Sequence, residues 1–196
     1  VRVEGLARPE RIVVGLDGPD SVHTARTARG DLPVLDGRGS HAYGPPARRH
    51  APMPGRDDPH DLRRFVEAQD GVMETVETEL RAGEKRTHWM WFVFPQFEGL
   101  GRSRMARRYA IRSREEASAY LEHPTLGPRL RECTALVNEV EGRSAHDIFG
   151  SPDDLKFHSS MTLFDAVATD PEPFRTALER YYDGSPDPET LGLLDG

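Results

Sequence analysis

The stretch KRTHWMWFVFPQF, residues 85–97, decides the fold of this chain. Both tryptophans, Trp89 and Trp91, lie in it, inside an unbroken apolar run that ends at Pro95. Burial of apolar surface contributes about 25 cal/mol per Å², and each aromatic side chain offers roughly 150–250 Å². The run therefore gains several kcal/mol by leaving water, and we expect it to form the core around which amphipathic helices assemble.

A short apolar run fits a buried strand or a buried helix equally well. Pro95 disfavours the helical conformation for the residue before it, so a helix here must end before Phe94. Because the flanking sequence is helical in pattern and offers no partner strand, we predict a short helix.

Helix signals recur from Asp58 to the end of the chain. The pair Asp58-Pro59 is typical of a helix start, and Ser113 with Glu116 and Ser144 with Asp147 are typical of N-terminal caps. Ser151-Pro152 opens a further helix, in which we expect Leu155 to supply a core position. A long apolar stripe follows 3.6-residue spacing from residue 126 to 140. The prediction is a mainly α, single compact domain of roughly seven to nine short helices over residues 58–196.

Residues 1–57 show no sustained hydrophobic period and are rich in Gly and Pro. Such a composition predicts a disordered or poorly ordered N-terminal tail. A second explanation is an overlong start assignment, with Met53 as the natural first residue.

The charge and cysteine content of the chain restrict the kinds of function that its sequence fits. The chain carries a net charge of −7, and residues 58–196 hold 17 basic against 26 acidic residues, which disfavours general nucleic-acid binding. The single cysteine, Cys133, excludes an internal disulfide and fits a reducing, cytoplasmic location. No apolar stretch has the length of a membrane span, and no histidine or cysteine spacing is typical of a metal site. We expect neither membrane insertion nor metal ligation.

The first candidate site is the polar rim of the tryptophan segment. His88 and Gln96 flank the apolar run, and Lys85 and Arg86 precede it. A histidine beside a tryptophan wall suits proton transfer or ligand recognition. The structural alternative is that His88 bonds a backbone carbonyl at the core boundary.

The second candidate is an arginine stretch. Six arginines fall between Gly99 and Arg114 with no acidic residue among them. Arg102 and Arg112 suit a phosphate or carboxylate, and Ser103 opens a helix whose backbone N–H groups add donors. The alternative is a solvated cationic face.

The third candidate is the segment from Lys156 to Ser160. Ser159, Ser160 and His158 interrupt an apolar helix face, where such side chains compete for backbone hydrogen bonds. Ser159 suits ligand binding or close helix packing. As a nucleophile it needs a distant base, because neighbours at i and i+1 do not face each other on a helix.

The segments 58–70, 85–96, 99–110, 126–133 and 149–164 together resemble a bacterial family of unknown function, DUF1810. The resemblance covers about residues 58–194 and implies a mainly helical domain. Members are sometimes labelled calpastatin, but the chain has no calpain-inhibitor repeat. The resemblance implies no activity, cofactor or catalytic residue, and we assign none.

These observations predict a pocket for an anionic, nucleotide-like small molecule between the Trp89/Trp91 segment and the Lys156–Ser160 helix. Its expected ligand-binding residues are His88, Trp89, Trp91, Gln96, Arg102, Ser103, Arg112, Lys156 and Ser159. The alternative is a protein-interaction or regulatory module that uses the arginine-rich 102–114 face. A weaker third hypothesis is single-stranded RNA binding, which the acidic charge of the domain disfavours. The sequence leaves the oligomeric state open.

Overall fold

A computed structural model of the chain describes residues 58–196, and these form ten helices with no named strand. The mainly α prediction is confirmed, with a helix count just above the expected range. The predictions for residues 1–57 fall outside the described residues. The helices are α1 Arg63–Gln69, α2 Met73–Arg81, α3 Met90–Val93, α4 Arg104–Arg108, α5 Arg114–Glu122, α6 Leu126–Asn138, α7 Ala145–Phe149, α8 Asp153–Val167, α9 Phe174–Tyr182 and α10 Pro188–Leu194.

The tryptophan segment forms a single helical turn, α3, at the centre of the core. The turn ends before Phe94, whose φ of −118° and ψ of 72° are not helical, as Pro95 requires. Met90, Phe92 and Val93 are buried. α3 packs against α1, α6 and α8, so one short turn joins three longer elements.

An aromatic cluster connects this segment to the longest helix, α8. Phe94 lies 4.9 Å from Phe157 and 6.1 Å from Phe149, measured between ring centroids, and both pairs are edge-to-face. Trp89 lies 6.1 Å from Phe94. Edge-to-face aromatic pairs add about 0.5–1.5 kcal/mol beyond their buried area. The cluster therefore fixes the start of α8 against α3.

The first helix begins later than its sequence signal suggests. Asp58 was expected to cap a helix at Pro59, but α1 starts at Arg63. The Asp58 carboxylate still accepts the backbone N–H groups of Leu62, at 2.7 Å, and Arg63, at 3.0 Å. The cap thus acts across an intervening turn that contains Asp61 in the left-handed region, at φ 52°.

A two-bond bridge closes the loop between α3 and α5. The backbone N–H of Ile111 donates to Gln96 O at 2.9 Å, and the N–H of Glu98 donates to Ile111 O at 2.8 Å. This isolated parallel bridge pairs Phe97 with Ile111. The two ends of the segment 98–110, which includes α4, are therefore held together at this bridge.

Candidate functional site

A cleft of about 430 Å³ opens between the end of α3, the loop 96–106, the start of α8 and the start of α10. Six of the nine predicted ligand-binding residues line it: Trp91, Gln96, Arg102, Ser103, Lys156 and Ser159. Three separate stretches of sequence therefore meet at one concave surface.

Trp91 and Lys156 form one wall of the cleft. The Lys156 Nζ lies 4.8 Å from the centroid of the Trp91 ring, within cation–π range. Lys156 also pairs with Asp153, one turn earlier on α8. The half-buried Trp91 indole is therefore the aromatic surface that a ligand can reach, and part of it lies beneath the ammonium group.

Asp153 connects this wall to the interior. Its carboxylate pairs with Lys156 and also accepts from Lys85 Nζ at 2.7 Å, and the Lys85 side chain is only 7% exposed. Burial raises the pKa of Asp153, but the hydrogen bonds from Lys156 and Lys85 outweigh it, so the pKa lies below its ordinary value. Asp153 thus stays ionised and offsets part of the positive charge of Lys156.

Ser159 joins α8 to the start of α10. Its Oγ lies 2.8 Å from Asp187 Oδ2 and 3.1 Å from Leu155 O, and it donates its proton to one of these oxygens. Burial raises the pKa of Asp187, but hydrogen bonds from Thr190 and Ser159 outweigh it and the pKa is lowered, which makes Asp187 a weak base. Ser159 Oγ therefore suits accepting a hydrogen bond from a ligand better than nucleophilic attack.

His158 and Ser160, the other two polar residues of the third candidate segment, serve packing. His158 stacks on Tyr182, with 4.0 Å between ring centroids, and its Nε2 lies 2.7 Å from Ser185 O. Ser160 is fully buried, and its Oγ has no hydrogen-bond partner among the described residues. Close packing of α8 is the role that this burial supports for Ser160.

The loop 96–106 supplies the opposite wall. Ser103 Oγ accepts the Ala106 N–H at 3.0 Å, so the predicted Ser103 cap forms and fixes the start of α4. A Cβ on Gly101 would lie 2.4 Å from the Ala106 Cβ, so only glycine permits this approach. Arg102 is exposed and makes no ion pair within the described part of the chain. Arg102 is therefore the cation of the cleft that is available to an anion.

Three predicted site residues lie elsewhere. Trp89 is 1% exposed and its indole N–H is bonded to Glu79, so it is a core residue and cannot stack on a ligand. His88 is exposed and does not line the cleft. Arg112 lies beyond the bridge at Ile111 and lines a different groove.

The arginine stretch does not form one continuous face. Arg102 lines the cleft, whereas Arg108 and Arg112 line the second groove. Arg114 reaches the end of α10, where it pairs with Asp195 at 3.0 Å. The cations of this stretch are therefore distributed over several surfaces.

Six further cleft residues were not predicted: Leu100, Gly101, Ala106, Pro152, Leu155 and Glu189. Leu155 was assigned to the core, but it is 61% exposed, because α8 turns this position towards the cleft. The helical spacing groups Leu155 with α8 residues that are buried, so its exposure could not be predicted from the sequence. Glu189 follows the Asp187-Pro188 helix start, a capping signal that carries no information about a site.

The cleft offers groups that suit ligand binding. It combines an arginine that has no ion pair among residues 58–196, an amide, a serine acceptor and several apolar side chains. In residues 58–196 no group of three or more His, Cys, Asp or Glu side chains is placed to hold a metal ion. No helix in that range is long and apolar enough to cross a membrane.

Comparison with known proteins identifies the family. The family described as "Protein of unknown function (DUF1810)" matches residues 59–194. The chain belongs to this family. The match includes all ten helices in full. Of the described residues, only Asp58, Asp195 and Gly196 lie outside it.

A solved structure is similar to this DUF1810 chain. It is the crystal structure of the conserved hypothetical protein Rv1873 from Mycobacterium tuberculosis. The two chains are 58% identical with a TM-score of 0.70, and the match covers 71% of this chain and 99% of the other. No curated protein matches the chain. The comparisons therefore support the fold and the family.

Proposed function

We propose that this DUF1810 protein binds an anionic, nucleotide-like small molecule in the cleft between Trp91 and the Lys156–Ser160 segment. The observation that carries the proposal is the convergence of Trp91, Arg102 and Ser159 on one cleft of about 430 Å³, a volume in the range of small-molecule sites.

The charges of the cleft favour an anion at one end. Arg102 is unpaired among the described residues, whereas Lys156 is partly neutralised by Asp153. We infer that Arg102 holds the phosphate or carboxylate group, since a guanidinium group binds such groups through two parallel hydrogen bonds. Glu189 lies on the same cleft and disfavours a second anionic group beside it.

The apolar part of the cleft favours a planar group at the other end. Leu100, Pro152 and Leu155 line the same cleft as Trp91 and give it an apolar surface. A ring placed there gains dispersion and stacking contacts with the indole. Gln96 and Ser159 then lie on the same surface to hydrogen-bond its polar edge.

The two tryptophans allow a direct test. Trp91 is half-buried at the cleft, whereas Trp89 is buried and hydrogen-bonded, so only Trp91 fluorescence should respond to a ligand. We would titrate the protein with adenosine monophosphate, benzoate and inorganic phosphate while following tryptophan emission. We expect quenching by adenosine monophosphate that disappears in Trp91→Phe and weakens at least about tenfold in Arg102→Ala.

Arg104→Ala is the matched control, because Arg104 is an exposed arginine on the same loop that does not line the cleft. Equal weakening in Arg104→Ala and Arg102→Ala would contradict the proposal, since it would indicate a diffuse charge effect. No response to any probe, in protein that unfolds cooperatively, would instead favour an interaction module.

A further inference from the structure

A second groove, of about 470 Å³, lies outside the cleft. It runs between α1 and the segment 108–112. Four arginines line it together with two acids: Arg63, Arg64, Arg108, Arg112, Asp61 and Glu67. This groove shares no lining residue with the cleft.

Internal ion pairs leave the groove with an excess of positive charge. Arg63 pairs with Glu67 at 2.7 Å, and Arg64 pairs with Glu116 at 2.5 Å behind the groove. Arg108 and Arg112 make no ion pair with any described residue, although the domain has more acidic than basic residues. Asp61 is the groove carboxylate with no such pair. Two unpaired guanidinium groups thus face one unpaired carboxylate.

The backbone that carries these two arginines is held by a buried ion pair. The Arg64 side chain, 7% exposed, donates to Arg108 O at 3.0 Å and to Ala110 O at 2.9 Å. Its partner Glu116 accepts the backbone N–H of Arg112 at 3.0 Å. All the hydrogen-bonding groups of the Arg64 guanidinium go to protein acceptors, so Arg64 positions the groove and does not reach a ligand.

We propose that the groove is a second anion site, in which Arg108 and Arg112 together bind a small ligand with two or more phosphate or carboxylate groups. Two guanidinium groups on a backbone that is already fixed lose less entropy on binding than two on a mobile loop. The volume of the groove exceeds what a single phosphate group fills, which favours a polyanion. This site is independent of the proposed function of the cleft.

Tripolyphosphate is the probe, measured by isothermal titration calorimetry at constant ionic strength. We expect the dissociation constant to rise at least about tenfold in the Arg108→Ala, Arg112→Ala double variant. Arg104→Ala and Arg107→Ala, which remove exposed arginines of α4 that line neither the cleft nor the groove, are the charge-matched controls and should each change it by less than about twofold.

Asp61→Asn is a second and opposite test. Asparagine accepts the left-handed backbone conformation at this position, so the variant should fold. Removing the one unpaired carboxylate should tighten tripolyphosphate binding by about two- to fivefold. No binding to the unchanged protein, or equal weakening in the double variant and the controls, would overturn the proposal. Unchanged or weaker binding in Asp61→Asn would also overturn it.

Discussion

The indole Nε1 of Trp89 donates a 2.8 Å hydrogen bond to Oε2 of Glu79. The same carboxylate oxygen accepts the backbone N–H groups of Arg86, at 2.9 Å, and Thr87, at 3.1 Å. Burial raises the pKa of Glu79, and these hydrogen bonds outweigh it to give a lowered pKa. One α2 carboxylate therefore holds both the core tryptophan and the loop that leads to it.

Glu79→Ala removes the acceptor of three N–H groups at once. Because a buried donor without a partner costs about 1–3 kcal/mol, we expect the free energy of unfolding to fall by about 2–4 kcal/mol. Urea unfolding followed by tryptophan fluorescence measures this. Glu77→Ala, which removes an exposed pair with Arg81 on the same helix, should change stability by less than about 0.5 kcal/mol. Similar losses in both variants would refute the special role of Glu79.

Asp153 should make the free energy of unfolding decrease as the pH falls in the acid range. Its pKa is lower in the folded protein than in the unfolded chain, so its contribution is complete above the unfolded pKa of 3.8 and is lost as the pH falls through the folded value. Asp153→Asn should lower the free energy of unfolding by about 2–4 kcal/mol at neutral pH, since Lys85 stays buried without its partner. The difference from the unchanged protein should shrink in urea titrations towards about pH 3. Asp195→Asn, at an exposed pair, should show neither effect.

Gly127 lies where α5 and α6 approach each other most closely. A Cβ at this position would lie 1.9 Å from the backbone carbonyl oxygen of Leu121. Because a backbone atom cannot swing aside, Gly127→Ala should lower the free energy of unfolding by more than about 2 kcal/mol. At Gly71 a Cβ meets nothing within 4 Å, so Gly71→Ala should be close to neutral in the same thermal or urea assay.

Cys133 should react with thiol reagents only through unfolding. It is fully buried on α6, and burial raises the pKa of its thiol to about 12, so almost no thiolate forms at neutral pH. We expect Ellman's reagent to label the native protein at a rate set by its opening and to label urea-unfolded protein at once. Rapid labelling of the native protein would show that the interior around Cys133 is accessible.

Much of the fold could be predicted because its signals are local. Ser103, Ser113 and Ser144 each accept a backbone N–H at the start of the helix that they were predicted to cap. The Glu116 side chain departs from its expected reciprocal bond, since it accepts from the Arg112 N–H and from Arg64 instead. Arg64 is 52 residues away in sequence, a distance over which local patterns give no information.

The candidate site was predictable in composition and not in orientation. Trp89 and Trp91 look alike in sequence, yet one faces Glu79 in the core and the other faces the cleft. Neighbours on a helical turn point in different directions, and the choice between them depends on tertiary partners. The assignment of Leu155 to the core was wrong for the same reason.

The backbone hydrogen bonds that join Gln96 and Glu98 to Ile111 allow the loop to change in sequence and length without altering the core. No residue of α4 is buried, and the loop leaves and returns through two adjacent backbone hydrogen bonds. Lengthening a closed loop costs only about 0.6 kcal/mol for each doubling of its length. Selection could therefore remodel one wall of the cleft by insertion, deletion or substitution between residues 98 and 107 while the aromatic interior, which includes Tyr109, stays as it is.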